Sequence, residues 1–590
     1  MLAQIKEINS LDSVVYTLSF YFIKLKRTFA HINQYNNKMN KLPDAFQHPY
    51  KFDPQYSKSA VYFSMEYGID QSLKIYSGGL GFLAGSHMRS AYDTKQNLVG
   101  IGILWKYGYY DQYKKEDRRM GALFQEKIYH FLQDTNIKFT INIAGHPVWV
   151  KAWYLDPKQF GTAPLFLLST DLPENDYLAR STTFKLYDSD PKAKIAQSMV
   201  LGIGGAKLLD ELNYQPEVYH FNEAHALSAV FHWLPVLGKD KLKEKLVFTT
   251  HTPEEAGNEK HNIHDLNQMG FFNGMSLEEV REVTGIQNDE FNHTLVGLRL
   301  ARKANGVSKL HGEVSRRMWG SYDGICEIDH ITNAQNKHYW ADERLEDARS
   351  KKDLKTLELR KQELKRELFK EVADQTGKWF KEDVLTIVWA RRFAGYKRAD
   401  LITRDFERFT KLLNNPDKPV QIIFAGKPYP MDYNAIRQYD ALVEMSFGLK
   451  NMAVLSGYEL ALSKLTKDGS DVWLNNPRVT REASGTSGMT AAMNGSINLS
   501  TNDGWIREFD EICGDCSFVL PIVDYQLPLY DQDQADLNNL YEILENEIVP
   551  MYYDKPKDWY KKVLKSMTEV VPFFDSNRMA HDYYVKMYNS

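Results

Sequence analysis

An α/β fold, with doubly wound parallel sheets divided between two large domains, is the class this sequence predicts, and three observations predict it. Short apolar runs carry their polar residues at their C-terminal ends: Glu217-Val218-Tyr219-His220-Phe221 runs into Asn222-Glu223-Ala224-His225, and Leu246-Val247-Phe248 into Thr249-Thr250-His251. Helical patterns separate such runs, as in strand-helix-strand units. At 590 residues the chain is too long for one core. In sheets of this kind ligands bind beyond the carboxyl ends of the strands, so Asn222, Glu223, His225 and His251 point at one crevice.

Apolar content of 43% and charged content of 25% are ordinary for a globular protein. A net charge of −4 gives no global attraction to nucleic acid, so any phosphate binding must be local. Three cysteines, Cys326, Cys513 and Cys516, are too few for a disulfide framework, and the Cys513/Cys516 spacing supplies only half of a zinc site. The first residues do not read as a signal peptide, and the apolar run 14–23 is too short to span a bilayer. The cytoplasm is the expected compartment, with no membrane partner.

Taken in order, Leu11, Val14, Val15, Leu18, Phe22 and Leu25 predict a helix in the first 50 residues. A strand follows at Ala60-Val61-Tyr62-Phe63, then a glycine turn, Ser77-Gly78-Gly79-Leu80-Gly81, opening a helix in a form suited to an anion. Another strand, 98–103, leads to Trp105-Lys106-Tyr107-Gly108-Tyr109-Tyr110-Asp111-Gln112, and residues 113–180 read as β-rich elaboration, with 141–155 alternating. His251, His261 and His264 with Glu254 and Glu255 lack the spacing of a metal site, and sugar-hydroxyl contacts suit them better; no metal is expected. Residues 343 to about 375 read as a charged, solvated connecting helix.

The second domain opens with the buried strand Val384-Leu385-Thr386-Ile387-Val388-Trp389, which ends in Arg391-Arg392-Phe393-Ala394-Gly395-Tyr396-Lys397-Arg398. Four cations beyond a strand end point to an anion among them. Further strands at 420–425, 453–455 and 471–474 feed Glu482-Ala483-Ser484-Gly485-Thr486-Ser487-Gly488-Met489-Thr490, a turn of small residues that opens a helix. From about Pro556 the tail reads as helices. The division expected is 1–375, 376–560 and 561–590, the last crossing back to the first domain.

The Glu482 turn resembles the signature of the α-glucan phosphorylases, glycosyltransferase family 35. The resemblance runs from about Ala60 to Glu508 through at least six motifs in order, including Thr250-His251-Thr252, Ile331-Thr332-Asn333 and Asp503-Gly504-Trp505. It departs from the family at Ala334-Gln335-Asn336-Lys337-His338. The resemblance implies the GT-B arrangement of two Rossmann-like domains with the active site in the cleft between them. It also implies a retaining phosphorolysis that releases glucose 1-phosphate from an α-1,4-glucan.

Carried over residue by residue, the resemblance assigns Arg392, Lys397 and His251 to catalysis. It assigns Gly78, Gly79, Leu80, Asn222, Glu223, His225, Tyr396, Glu482, Ser484 and Gly485 to the substrate, and Arg391, Arg392, Tyr458, Thr486 and Ser487 to a cofactor phosphate. In the family the residue after Gly-Met is the lysine that binds pyridoxal phosphate as an imine; here it is Thr490, whose hydroxyl forms none. The family's chemistry uses the cofactor's phosphate rather than its aldehyde, which leaves noncovalent pyridoxal phosphate open. One alternative is a glucosyltransferase with a nucleotide-activated glucose and no pyridoxal phosphate; another is a silent glucan binder. α-Glucan or maltooligosaccharide and phosphate are the expected partners, and a homodimer is compatible with the sequence.

Overall fold

The computed structural model describes residues 41–524 and 526–590. The helix expected in the first 50 residues lies largely outside them. Two sheets organise the remainder. The first has nine strands in the spatial order Glu327–His330, Lys303–Gly306, Leu246–Thr249, Val218–Asn222, Ala60–Phe63, Leu98–Ile103, Leu165–Ser169, His146–Leu155 and Gln133–Ile143. The first seven are parallel neighbours, with Ala60 opposite both Leu98 and Val218, and the last two form an antiparallel extension. The expected alternation over 141–155 crosses a hairpin turn, because Ala144 and Gly145 adopt φ of 52° and 85°. The central strands are buried along their whole length, as continuous apolar runs in a parallel sheet require.

The second sheet is parallel throughout, in the order Met452–Leu455, Val420–Ala425, Leu385–Ala390, Val472–Asn475, Ile497–Ser500 and Phe518–Val519. The helix Leu354–Thr376 is not a solvated connector. It buries Leu357, Leu364, Leu368, Phe369 and Val372, the last three against Val388, Ile423 and Trp473 of this sheet. Its Lys361 and Lys365 are buried too, because each finds acceptors: Lys361 donates to the carbonyls of Asp468, Ser470 and Asn494, and Lys365 to Asp471.

The last helices pack on the first sheet. Ser576 meets Ser90 at 2.5 Å, Tyr588 meets the buried His220 at 2.7 Å, and Arg302 donates to the carbonyl of Tyr588. Tyr110 and Gln112 fasten the two sheets together. The Tyr110 hydroxyl donates to Pro428 O at 2.6 Å, while the Gln112 amide donates to Gly426 O and accepts from Gly457 N–H.

Most helices away from the strand ends begin with a side-chain cap, such as the capping box of Ser276 and Glu279. The helices Gly79–Asp93, Ser487–Met493 and Trp505–Cys513 have none, and all three start beyond carboxyl ends of strands. Their free N–H groups are left for other partners.

Candidate active site

The first glycine turn already holds an anion, and it belongs to the chain. Glu66, buried just past the strand Ala60–Phe63, accepts from Ser77 N–H at 2.6 Å, Gly78 N–H at 3.2 Å, the Ser77 hydroxyl and the Tyr187 hydroxyl at 2.7 Å. A Cβ on Gly81 would lie 2.7 Å from Glu66 Oε2, so only glycine allows this approach. Glu66 thus occupies the Ser77 and Gly78 N–H groups at the mouth of the turn expected to suit an anion. Glu66 also draws in Tyr187, which lies beside Arg392 from the second sheet.

Past the strand Val218–Asn222, Glu223 takes φ 68° and ψ 175°, a costly backbone for a non-glycine residue. Its carboxylate accepts from His251 N–H and from the Thr252 hydroxyl, and burial pushes its pKa up to about 7. Glu223 thus braces the loop that carries His251. Burial holds the His251 imidazole down to about 3, so it is neutral, and its Nε2–H donates to Asn222 Oδ1 at 2.6 Å. His225 leaves Nδ1 buried without a partner.

The four cations past the strand Leu385–Ala390 separate into two groups. Arg398 turns away under a left-handed backbone (φ 49°) and pairs, fully buried, with Asp533 and Asp536. Arg391, Arg392 and Lys397 stay. Lys397 Nζ lies 2.8 Å and Arg391 Nη1 3.4 Å from Glu482 Oε2. Burial alone would raise the Glu482 pKa, but these two cations outweigh it and hold the carboxyl below its usual range. Arg391 also reaches the Ser487 hydroxyl at 3.3 Å, and its buried Nε has no acceptor. Arg392 lies beside Tyr396, Tyr109 and Tyr187 and makes no ion pair among the described residues. Tyr458 donates to Ala390 O at 3.0 Å; burial pushes its phenol up to about 12.

Asp503, which sequence reasoning passed over as a site residue, fixes the Glu482 turn from behind. It accepts Glu482 N–H at 2.9 Å and Gly504 N–H at 2.9 Å, and burial raises its pKa to about 7. A Cβ on Gly504 (φ 64°) would meet Ser484 O at 2.4 Å, which explains glycine there. The Ser484 hydroxyl is buried without a partner. Ser308, from the first sheet's side, donates to Ala483 O at 2.6 Å, so both sheets hold the turn. Thr490 is fully buried and spends its hydroxyl on Ser487 O at 3.0 Å.

The histidines weighed as metal ligands diverge, His261 to His293 and His264 toward Asp289, and no cluster of three or more candidate ligands occurs among the described residues. Cys513 and Cys516 form a disulfide. A cavity of about 680 Å³ beside Thr480 and Asn502, edged by Arg316, Arg317 and Arg507, includes none of the residues singled out from the sequence. Among the described residues no helix is long and apolar enough to cross a membrane.

A profile of the carbohydrate phosphorylases matches residues 289–520. The maltodextrin phosphorylase of Thermococcus litoralis is 33% identical across 95% of this chain and 73% of its own length. The chain belongs to the carbohydrate phosphorylase family. The glycogen phosphorylase of Aquifex aeolicus is 32% identical over 91% of this chain and 87% of that one. An uncharacterized protein of Methanocaldococcus jannaschii is 45% identical over 90% of this chain and all of its own length. The two largely parallel sheets are those of the phosphorylase GT-B fold, and the chain is a hexosyltransferase of the glycogen-phosphorylase type.

Proposed function

We propose that this chain releases glucose 1-phosphate from an α-1,4-linked glucan with inorganic phosphate and with retention. One observation carries the reading: Arg391 and Lys397 pair with Glu482, and Arg392, whose charge also acts on that carboxylate, makes no ion pair among the described residues, so three positive charges face one negative. An uncompensated cluster of this kind is costly unless a dianion completes it. Arg392 and Lys397 hold the attacking phosphate, whose negative charge stabilises the positive charge that develops at the sugar carbon. Glu482, kept ionised, binds sugar hydroxyls rather than attacking. His251 and Asn222 orient the glucose, and the neutral His251 donates without adding charge.

The residues present suit the phosphate of pyridoxal phosphate but not its aldehyde. The partnerless Arg391 Nε, the partnerless Ser484 hydroxyl, and Ser487 beside Arg391 suit a phosphate; Thr490 offers nothing to an aldehyde. Arg391, Tyr458, Thr486 and Ser487 would hold its phosphate. When bound, that phosphate supplies a proton relay to the substrate phosphate.

The test is glucose 1-phosphate release from maltooligosaccharide, with and without inorganic phosphate and pyridoxal phosphate. Release that requires phosphate is expected. No release in any condition, together with binding of a nucleotide-activated glucose, would overturn the reading in favour of a nucleotide-sugar transferase.

A further inference from the structure

The cavity of about 680 Å³ beside Thr480 lies between the two sheets' sides of the molecule and has a volume usual for small-ligand sites. One wall is the helix Lys309–Trp319, which follows the first sheet's strand Lys303–Gly306 and presents Arg316 and Arg317. The other wall, from the second sheet's side, carries Thr480, Asn502 and Arg507, the last in the first turn of the helix Trp505–Cys513. Arg316 commits Nη1 to Ile328 O at 2.9 Å and keeps the rest of its fork. Arg317 makes no hydrogen bond or ion pair among the described residues. Arg507 has Glu511 at 4.0 Å, a carboxylate that Lys309 already holds at 2.9 Å.

Glu313 is the one carboxylate on the lining among the described residues, so two positive charges stand uncompensated. Guanidiniums grouped around a concave surface concentrate anions, and their paired N–H groups match the oxygens of a phosphate. The lining also offers acceptors. Asn502 Oδ1 is buried without a donor, and Glu313 makes no ion pair among the described residues, so both are open to hydroxyls. Among the described residues no aromatic ring lines the cavity to stack a nucleobase. A phosphate with hydroxyls beside it and no base is the chemistry of a sugar phosphate. Thr480 takes a left-handed backbone, φ 72°, costly for a β-branched residue, and its N–H goes to Asp503, which also accepts Glu482 N–H. One carboxylate thus fastens both the cavity wall and the Glu482 turn.

We propose that this cavity is a second ligand site, separate from the catalytic one, and that it takes a sugar phosphate. Arg316, Arg317 and Arg507 hold the phosphate, while Asn502 and Glu313 accept from the sugar hydroxyls. A ligand held in this way ties the helix Lys309–Trp319 to the segment that Asp503 fastens. The site stands independently of the reaction proposed above.

The experiment is calorimetric titration of fructose 6-phosphate into the full wild-type, Arg317→Ala and Arg392→Ala chains, with fructose and inorganic phosphate titrated into the Arg392→Ala chain for comparison. The expected result is binding by the wild type that Arg392→Ala retains and that Arg317→Ala weakens at least about tenfold. Arg317 is exposed, so its variant is expected to keep the wild-type circular dichroism. Fructose and inorganic phosphate should each bind the Arg392→Ala chain at least about tenfold more weakly than fructose 6-phosphate, because each makes only part of the contacts. No binding of fructose 6-phosphate by the wild type, loss of its binding in Arg392→Ala, or equal binding by Arg317→Ala would overturn the inference. Inorganic phosphate binding the Arg392→Ala chain as tightly as fructose 6-phosphate would overturn the assignment of a sugar phosphate.

Discussion

The two glycine turns, 77–81 and 482–488, look alike in sequence, and the structure gives them opposite electrical states. At the first, Glu66 takes two backbone N–H groups and two hydroxyls, so the turn is neutralised from within. At the second, Glu482 is itself neutralised by Lys397 and Arg391, and Arg392 remains over. A glycine turn at a helix start is therefore no anion site by itself. What decides is whether a carboxylate of the chain already sits in it.

The sharpest way to break this comparison is Arg392→Ala. Removing the unpaired cation should lower glucose 1-phosphate release by about 10²- to 10³-fold, in the range for deleting one transition-state donor. Binding of maltooligosaccharide should be retained, since neutral glucan needs no cation. Full activity in steady-state kinetics would remove the phosphate assignment.

The carboxylates behind the turns sharpen it through pH. Glu223 and Asp503 are each raised to about 7 by burial, so the folded chain holds protons that the unfolded chain loses near pH 4. Stability should therefore fall as pH rises from about 4 to about 7, by on the order of 3 kcal/mol for each group. Glu459 works with the opposite sign: Lys427 and Lys74 outweigh its burial and hold it down to about 2. Its contribution is complete above about pH 4.5 and is lost only below that, so the two windows separate in denaturant titrations.

The smallest effect expected is that of Glu66→Gln. The amide keeps one acceptor oxygen but loses the charge over the helix start, which should cost about 1–3 kcal/mol in thermal or denaturant unfolding. Phosphate affinity should be unaffected. A large loss of phosphate binding in this variant would mean that the two turns act as one site.

Strand ends were legible in the sequence because their pattern is local: an apolar run, then polar residues. That rule named Asn222, His251, Arg391 and the Glu482 turn, and Glu66 stands in the same position, just past the strand Ala60–Phe63. Other features depend on long-range geometry. Nothing near Arg398 in sequence foretells that it turns toward Asp533 and Asp536, more than 130 residues away. The helix Leu354–Thr376 was misjudged because its lysines look solvated until the carbonyls of Asp468, Ser470 and Asn494 fold over them.

Calorimetric titration of inorganic phosphate into the wild-type, Arg392→Ala and Glu66→Gln chains tests the central claim most directly. The account predicts one phosphate site in the wild type, weakened at least about tenfold, or 1.4 kcal/mol, by Arg392→Ala and unchanged by Glu66→Gln. Equal binding by the wild-type and Arg392→Ala chains, or no binding by the wild type, would contradict it.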